Sequence, residues 1–136
     1  MSMSLCYINQ NQDVQSLINM NNGNWSRFSR FVSSTLSAHV IVCTEIADSQ
    51  DITATGDDDY DAWKREEAAE EVANLVFAEN LATCWKTDSC NMSDVLQAMS
   101  VAMLDPNAAQ YMGYISRITS ASAKALAVGN PRTYWA

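Results

Sequence analysis

Apolar residues recur at spacings of three and four along most of the chain, which is the pattern of helices that bury one face. Breaker segments separate the stretches: Asn21-Asn22-Gly23-Asn24, Asp105-Pro106 and Gly129-Asn130-Pro131. Glycine and proline end helices, and asparagine and aspartate cap them. The pattern therefore predicts five helices, near residues 11–21, 25–46, 60–86, 93–104 and 107–128.

The helix predicted near residues 60–86 has the strongest pattern. Four carboxylates lie just before this helix or in its first turn: Asp57, Asp58, Asp59 and Asp61. Acidic side chains are favourable at this position, because the N–H groups of a first helical turn are unpaired. Its second half is apolar on nearly all sides, including Val76 and Phe77. We therefore expect a central helix that other elements cover, with Phe77 buried.

Residues 38–44 fit either a helix or a buried strand. Their β-branched residues favour a strand, but a lone strand there could pair only with residues 4–8. The spacing of apolar residues from Trp25 to Ile46 continues across the segment. We predict helix, with strand as the alternative.

Together these elements predict an all-α fold: a single-domain, partly antiparallel bundle of about five helices spanning residues 1–136. Residues 1–10 are predicted as an N-terminal arm, residues 48–59 as an acidic loop and residues 132–136 as a C-terminal tail.

Length and composition fit one globular domain, because 136 residues with 48% hydrophobic residues can bury a core without disulfides or metals. No window approaches the roughly 20 apolar residues that span a bilayer. The N-terminal residues lack the basic and apolar regions of a signal peptide. The expected location is the cytoplasm.

The negative charge is concentrated in one segment. Eleven acidic residues lie from Glu45 to Glu71, against Lys64 and Arg65, a net of −9 in a chain whose formal charge is −8. Such a field disfavours nucleic acid and anionic membranes as partners of this face. It favours a basic surface on another protein.

Four cysteines occur, at positions 6, 43, 84 and 90. In a cytoplasmic chain they are expected to be reduced, buried residues. Two alternatives stay open: a disulfide between Cys84 and Cys90, and a zinc site, for which no CxxC pair exists.

Asp57, Asp59 and Asp61 match the first ligand positions of an EF-hand loop, but Ala62 and Ala68 stand where glycine and glutamate are required. Calcium binding is therefore not expected. The acidic run is better explained by helix capping and solvation.

Two carboxylate pairs at i, i+3 spacing are Glu45-x-x-Asp48 and Glu67-x-x-Glu70. If their helices are antiparallel, the four groups could meet and hold magnesium. In this respect the chain resembles the all-α nucleotide pyrophosphohydrolases, although their ExxE pair comes before their ExxD pair, the reverse of the order here.

His39 is the only histidine, which excludes a di-iron site built from two Glu-x-x-His motifs. A serine- or cysteine-based site with His39 is formally possible, but no nucleophile elbow surrounds any serine. No phosphate-binding or dinucleotide motif occurs. We expect His39 at a core or boundary position.

The leading functional hypothesis is a non-enzymatic acidic binding protein of the inhibitor, immunity or anti-defence type, such as phages and plasmids encode. It would need no cofactor and no metal. The alternatives are a structural or assembly subunit, for example a virion component, and a magnesium-dependent nucleotide hydrolase. The predicted partner-binding residues are Asp57, Asp58, Asp59, Asp61, Glu66, Glu67, Glu70, Glu71 and, as an aromatic anchor or a lid on the bundle, Trp135.

Overall fold

The computed structural model describes residues 1–136 and contains four α-helices and a three-stranded antiparallel sheet. The prediction of an all-α bundle of five helices is therefore wrong. The helices are α1 (Asn22–Asp48), α2 (Asp58–Lys86), α3 (Met92–Ala102) and α4 (Met112–Leu126), with a short 3-10 helix at Ala108–Tyr111 before α4. The strands are β1 (Ser2–Ile8), β2 (Val14–Asn21) and β3 (Thr133–Trp135).

The segment predicted as the first helix is strand β2. Its register with β1 pairs Leu5 with Ile18 and Cys6 with Ser16, so Leu17 is the extra residue of a β-bulge. Leu17 and Ile18 are consequently both buried although they are adjacent. The bulge breaks the two-residue alternation of a strand and leaves apolar spacings that resemble those of a helix.

The predicted N-terminal arm and C-terminal tail are also strands. β1 is the central strand, with β2 on one side and β3 on the other. Leu5 pairs with Trp135 across β1 and β3, and the backbones of Ser4 and Ala136 exchange two hydrogen bonds. The two ends of the chain therefore lie together in one sheet.

Helix α1 begins where the sequence predicted a break. The side chain of Asn21 accepts a hydrogen bond from Asn24 N at 2.7 Å and so caps the first turn. The helix then continues to Asp48 without interruption. Residues 38–44 are therefore helical, as predicted.

α2 occupies the predicted position but is not central. It packs along α1 and touches α3, and its buried apolar residues are Ala78, Leu81 and Trp85, all in its last third. Phe77 is 52% exposed, so the expectation that it is buried is wrong. α1 and α2 form an antiparallel hairpin whose helices are each about 40 Å long.

The core lies between the sheet, the first half of α1, α3 and α4. Nineteen buried apolar residues form one cluster. Phe28, Met92, Met99 and Ile118 are among its members and are fully enclosed. α3 packs in this core and begins with a capping box. In this box the side chains of Asn91 and Asp94 accept hydrogen bonds from each other's backbone N–H groups.

None of the four helices combines the length and the apolar character that crossing a membrane requires.

Candidate functional site

The outer part of the α1–α2 hairpin is the part of the molecule least covered by other elements. Between residues 37 and 77 only Cys43 and Asp61 are buried. We call residues 37–77 the hairpin tip. It contains the whole acidic segment from Glu45 to Glu71.

Four of the predicted partner-binding carboxylates are exposed on α2: Asp58, Asp59, Glu66 and Glu70. Glu67 and Glu71 are half-buried toward α1. Asp57 is exposed, but its side chain accepts a hydrogen bond from Tyr60 N at 3.1 Å and caps α2. The structure thus brings these residues onto one helix and leaves four of them free of any internal hydrogen bond.

Asp61 has a structural role. Its carboxylate accepts hydrogen bonds from Thr55 N at 3.0 Å, Thr55 Oγ1 at 2.9 Å and Gly56 N at 3.4 Å. The bonds from the Thr55 backbone and then from the Thr55 hydroxyl lower the pKa of Asp61, because they stabilise the charged form. Asp61 therefore fastens the loop to α2 and is only 9% exposed.

The charge of the tip is almost uncompensated within the chain. The single ion pair of the structure joins Lys64 Nζ and Glu67 Oε2 at 3.6 Å. The other carboxylates of the tip have no basic partner within ion-pair distance. At physiological salt the Debye length is about 8 Å, so neighbouring carboxylates still repel one another.

An apolar stripe lies on the same helix. Residues 64, 68, 71 and 75 are half-buried toward α1 and are largely polar or small. The larger apolar side chains instead face outward, with Val72 51%, Val76 50% and Phe77 52% exposed. Their i, i+3, i+4 spacing makes one face. The apolar stripe consists of Ala69, Val72, Ala73, Val76 and Phe77.

Trp135 does not belong to the hairpin tip, because it lies in β3. It is half-buried in β3, and its ring meets that of Trp25 edge to face with centroids 5.8 Å apart. Together with Trp85 they wall a groove of about 420 Å³ between the sheet and the base of the hairpin. The indole of Trp135 thus packs as a lid over Trp25. This contact leaves a smaller part of the Trp135 ring accessible to a partner.

The four carboxylates that the sequence suggested as magnesium ligands do not form a cluster. Only one set of three or more histidine, cysteine or carboxylate side chains has its ligand atoms within 4.8 Å of one another, and Glu45, Asp48, Glu67 and Glu70 are not in it. The antiparallel arrangement that this hypothesis needed is present, but it does not bring the four carboxylates together.

His39 lies one turn before Cys43 on α1, with Nε2 3.6 Å from the thiol sulfur. Burial, and then the carboxylate of Glu71, raise the pKa of the Cys43 thiol. A cysteine nucleophile needs the opposite shift, because the thiolate is the reactive form. The pair therefore suits packing between the helices better than catalysis.

The one compact set of potential metal ligands is Cys84, Cys90 and Asp94, at the junction of α2 and α3. The two sulfur atoms are 2.6 Å apart. Cys90 is 4% exposed and Cys84 is half-buried. The sequence indicated the two cysteines as a possible disulfide pair, but it did not indicate Asp94 as a third potential ligand.

Two features of the tip were missed from the sequence. The apolar stripe was assigned to the core, whereas the positions that pack inward are the largely polar or small residues at 64, 68, 71, 75 and 78. Nothing in that row marks it as the inward face, so the outward position of the stripe follows from tertiary packing. The burial of Asp61 depends on the path of the loop, which no local pattern encodes.

Comparisons with protein-family models, with curated proteins and with solved structures find no match to this chain.

Proposed function

We propose that this protein is a non-enzymatic binding protein that docks its hairpin tip on a basic surface of another protein in the cytoplasm. An inhibitor, immunity or anti-defence role fits such an activity, since clustered charge speeds association and rejects wrong partners. The observation that carries the proposal is the coincidence of exposed carboxylates and an uncovered apolar stripe on one helix, α2.

The charge supports a basic partner. A net of −9 within 27 residues, with one ion pair, costs folding free energy through self-repulsion. A surface rich in lysine and arginine would relieve that repulsion on binding. Basic surfaces of this kind include the nucleic-acid grooves of other proteins.

The apolar stripe would supply the slow dissociation that exposed charges alone do not provide. Rim charges mainly set the association rate, while desolvated apolar anchors hold a complex together. Phe77 and the two valines lie beside the exposed carboxylates Glu66, Glu70 and Glu79. The matching partner surface is an apolar groove or helix face with basic residues along its edges.

The test is capture of partners from a lysate of the source cells at low and at physiological salt, using tagged parent protein and two variants. The charge variant replaces Asp58, Asp59, Glu66 and Glu70 with their amides. The stripe variant is Val76→Ser with Phe77→Ser. Asp57 and Asp61 are left intact, because they cap α2 and fasten the loop.

A control variant with the same change in net charge separates local from global effects. It carries lysine at four exposed positions outside the tip: Asn11, Ser116, Ala123 and Ala127. We expect the charge variant to lose the partner at physiological salt while this control keeps it, and the stripe variant to bind with faster dissociation. Capture that is independent of salt and of the four amides would refute docking through charge.

The alternative of an assembly subunit is favoured by the apolar stripe alone, since a second copy could cover it. Size-exclusion chromatography with light scattering over a wide range of protein concentration distinguishes the two. A large, concentration-independent oligomer that the stripe variant dissociates would favour assembly. A monomer favours the docking proposal.

A further inference from the structure

The junction of α2 and α3 holds two cysteines in contact. Cys84 lies in the last turn of α2 and Cys90 just before α3. Their sulfur atoms are 2.6 Å apart, closer than two sulfur atoms that are not bonded normally approach. The contact joins two elements and is a separate feature from the hairpin tip.

The backbone holds both cysteines in this position. Ser89 N donates to Cys84 O at 2.9 Å and closes the turn after α2. Cys90 O accepts hydrogen bonds from Thr133 N at 2.9 Å and from Thr133 Oγ1 at 3.0 Å, which ties it to β3. These bonds hold the backbone at both cysteines in place.

A metal fits this pair poorly. Tetrahedral zinc with Zn–S bonds of about 2.3 Å places two thiolates about 3.8 Å apart, farther than these sulfur atoms. The third candidate, Asp94, already accepts a hydrogen bond from Asn91 N in the capping box of α3. A fourth ligand is absent from the set.

We propose that Cys84 and Cys90 form a reversible intramolecular disulfide, a covalent redox site that fastens the end of α2 to the start of α3 beneath β3. The oxidant is a small-molecule disulfide of the glutathione type. This inference does not depend on the proposed function, because the site lies outside the hairpin tip.

The reaction proceeds by two thiol–disulfide exchanges. Cys84, the more accessible thiol, loses its proton and attacks the small disulfide, releasing one small thiolate. Cys90 then loses its proton and attacks the Cys84 sulfur of the mixed disulfide, releasing the second thiolate. The protein loses two hydrogens and gains one S–S bond, while one small disulfide becomes two thiols.

The environment makes the reduced pair unreactive at neutral pH. Burial raises the pKa of both thiols, and the carboxylate of Asp94 raises it further. Little thiolate is present, so exchange in the folded protein is slow and accelerates with rising pH. The site is therefore suited to a structural disulfide that forms and breaks slowly, and not to a catalytic dithiol.

Oxidation should stabilise the fold, because the disulfide restricts the unfolded chain. For a loop of this length we expect the melting temperature to rise by roughly 5–10 °C. The comparison needs only the parent protein in its reduced and oxidised states, so no variant has to fold for the result to be informative.

The experiment treats the folded full chain with oxidised glutathione, then unfolds it in denaturant while N-ethylmaleimide blocks the remaining thiols, and measures the intact mass and tryptic peptides. Trypsin cleaves after Lys86, between the two cysteines, so the disulfide would join peptides 66–86 and 87–117. The expected result is these two joined peptides, with Cys6 and Cys43 alkylated. The matched control, Cys6→Ser with Cys43→Ser, should behave like the parent.

Either of two results would overturn the proposal. One is alkylation of both Cys84 and Cys90 after prolonged oxidation at pH 8.5 in the folded protein, with no joined peptides. The other is a rise in melting temperature of the reduced protein on adding zinc that Cys84→Ser abolishes, which would make the pair a metal site.

Discussion

At the scale of single residues, neighbouring carboxylates with the same charge have different roles. Asp61 accepts hydrogen bonds from Thr55 and Gly56 and is nearly buried, whereas Asp58 and Asp59 have no internal partner and are exposed. The difference comes from the loop, which folds back over the first turn of α2. The charge of Asp61 is used within the fold, and that of Asp58 and Asp59 remains available to a partner.

We expect Asp61→Ala to release the loop while leaving the helices intact. Amide hydrogen exchange at Thr55 and Gly56 should accelerate, because both N–H groups lose their acceptor. Asp59→Ala, which removes an exposed carboxylate from the same turn, is the control and should leave both amides protected. Unchanged protection in Asp61→Ala would show that the carboxylate does not hold the loop.

The same contact should depend on pH in a defined direction. The pKa of Asp61 is lower in the folded protein than in the unfolded chain, so its contribution is present above the unfolded value near 3.9 and is lost as the pH falls through the folded value. Protection of the Thr55 amide, corrected for intrinsic exchange, should therefore persist at the unfolded pKa of an aspartate and disappear as the pH falls further, through the lowered pKa of Asp61. Protection that persists in parallel with the core amides would contradict this.

Two phenylalanines test the boundary between core and surface. Phe28 is fully buried against Tyr111 and Tyr114, and Phe28→Ala should cost about 3–5 kcal/mol of unfolding free energy. Phe77 is 52% exposed, and Phe77→Ala should cost less than about 1 kcal/mol. Urea denaturation of the two variants measures both values. Equal losses would mean that the apolar stripe is covered in solution.

At the scale of elements, the sheet and the helices depend on each other. β1 lies between β2 and β3, and Leu5 on β1 is 1% exposed within the cluster that also contains Phe28 and Ile18. An isolated β-hairpin is marginally stable in water. The helical layer therefore stabilises the sheet, and the sheet covers one side of the helical core.

We expect Leu5→Ala to destabilise the whole protein by about 2–5 kcal/mol, the usual cost of emptying a buried leucine site. Ile8→Ala in the same strand is the control, because Ile8 is 48% exposed. Thermal melts followed by circular dichroism at a helix wavelength provide the measurement. If Leu5→Ala left helix melting unchanged, β1 would not belong to the same cooperative unit.

At the scale of the whole molecule, charge and packing are separated in space. The core lies at the sheet end, and the acidic segment lies at the outer end of the hairpin. Repulsion within the acidic segment therefore acts where few buried contacts oppose it. The tip should be the least stable part of the fold.

Added salt should therefore stabilise the free protein. We expect the melting temperature to rise between about 10 mM and 300 mM sodium chloride, because screening weakens the repulsion among the carboxylates. The four-amide charge variant should respond less. A melting temperature that falls with salt would show that attractive charge pairs, rather than repulsion, dominate the tip.

The sequence by itself determined the features that depend on neighbouring residues. α2 begins at the acidic run that predicted its start, α3 lies close to its predicted position, and α1 carries its helical spacing through residues 38–44. The concentration of charge between Glu45 and Glu71 also follows from the sequence alone. These features need no distant contact, so a local pattern is enough to predict them.

Only the tertiary structure decided which segments are strands, because strand pairing joins residues that are far apart in sequence. β1 pairs with residues at both ends of the chain, and the bulge at Leu17 hides the alternation that would have marked β2. The burial of Asp61 and the exposure of Phe77 were decided in the same way. The chemical nature of a side chain sets the free energy that its burial would contribute, but the packing of distant elements determines whether the side chain is covered.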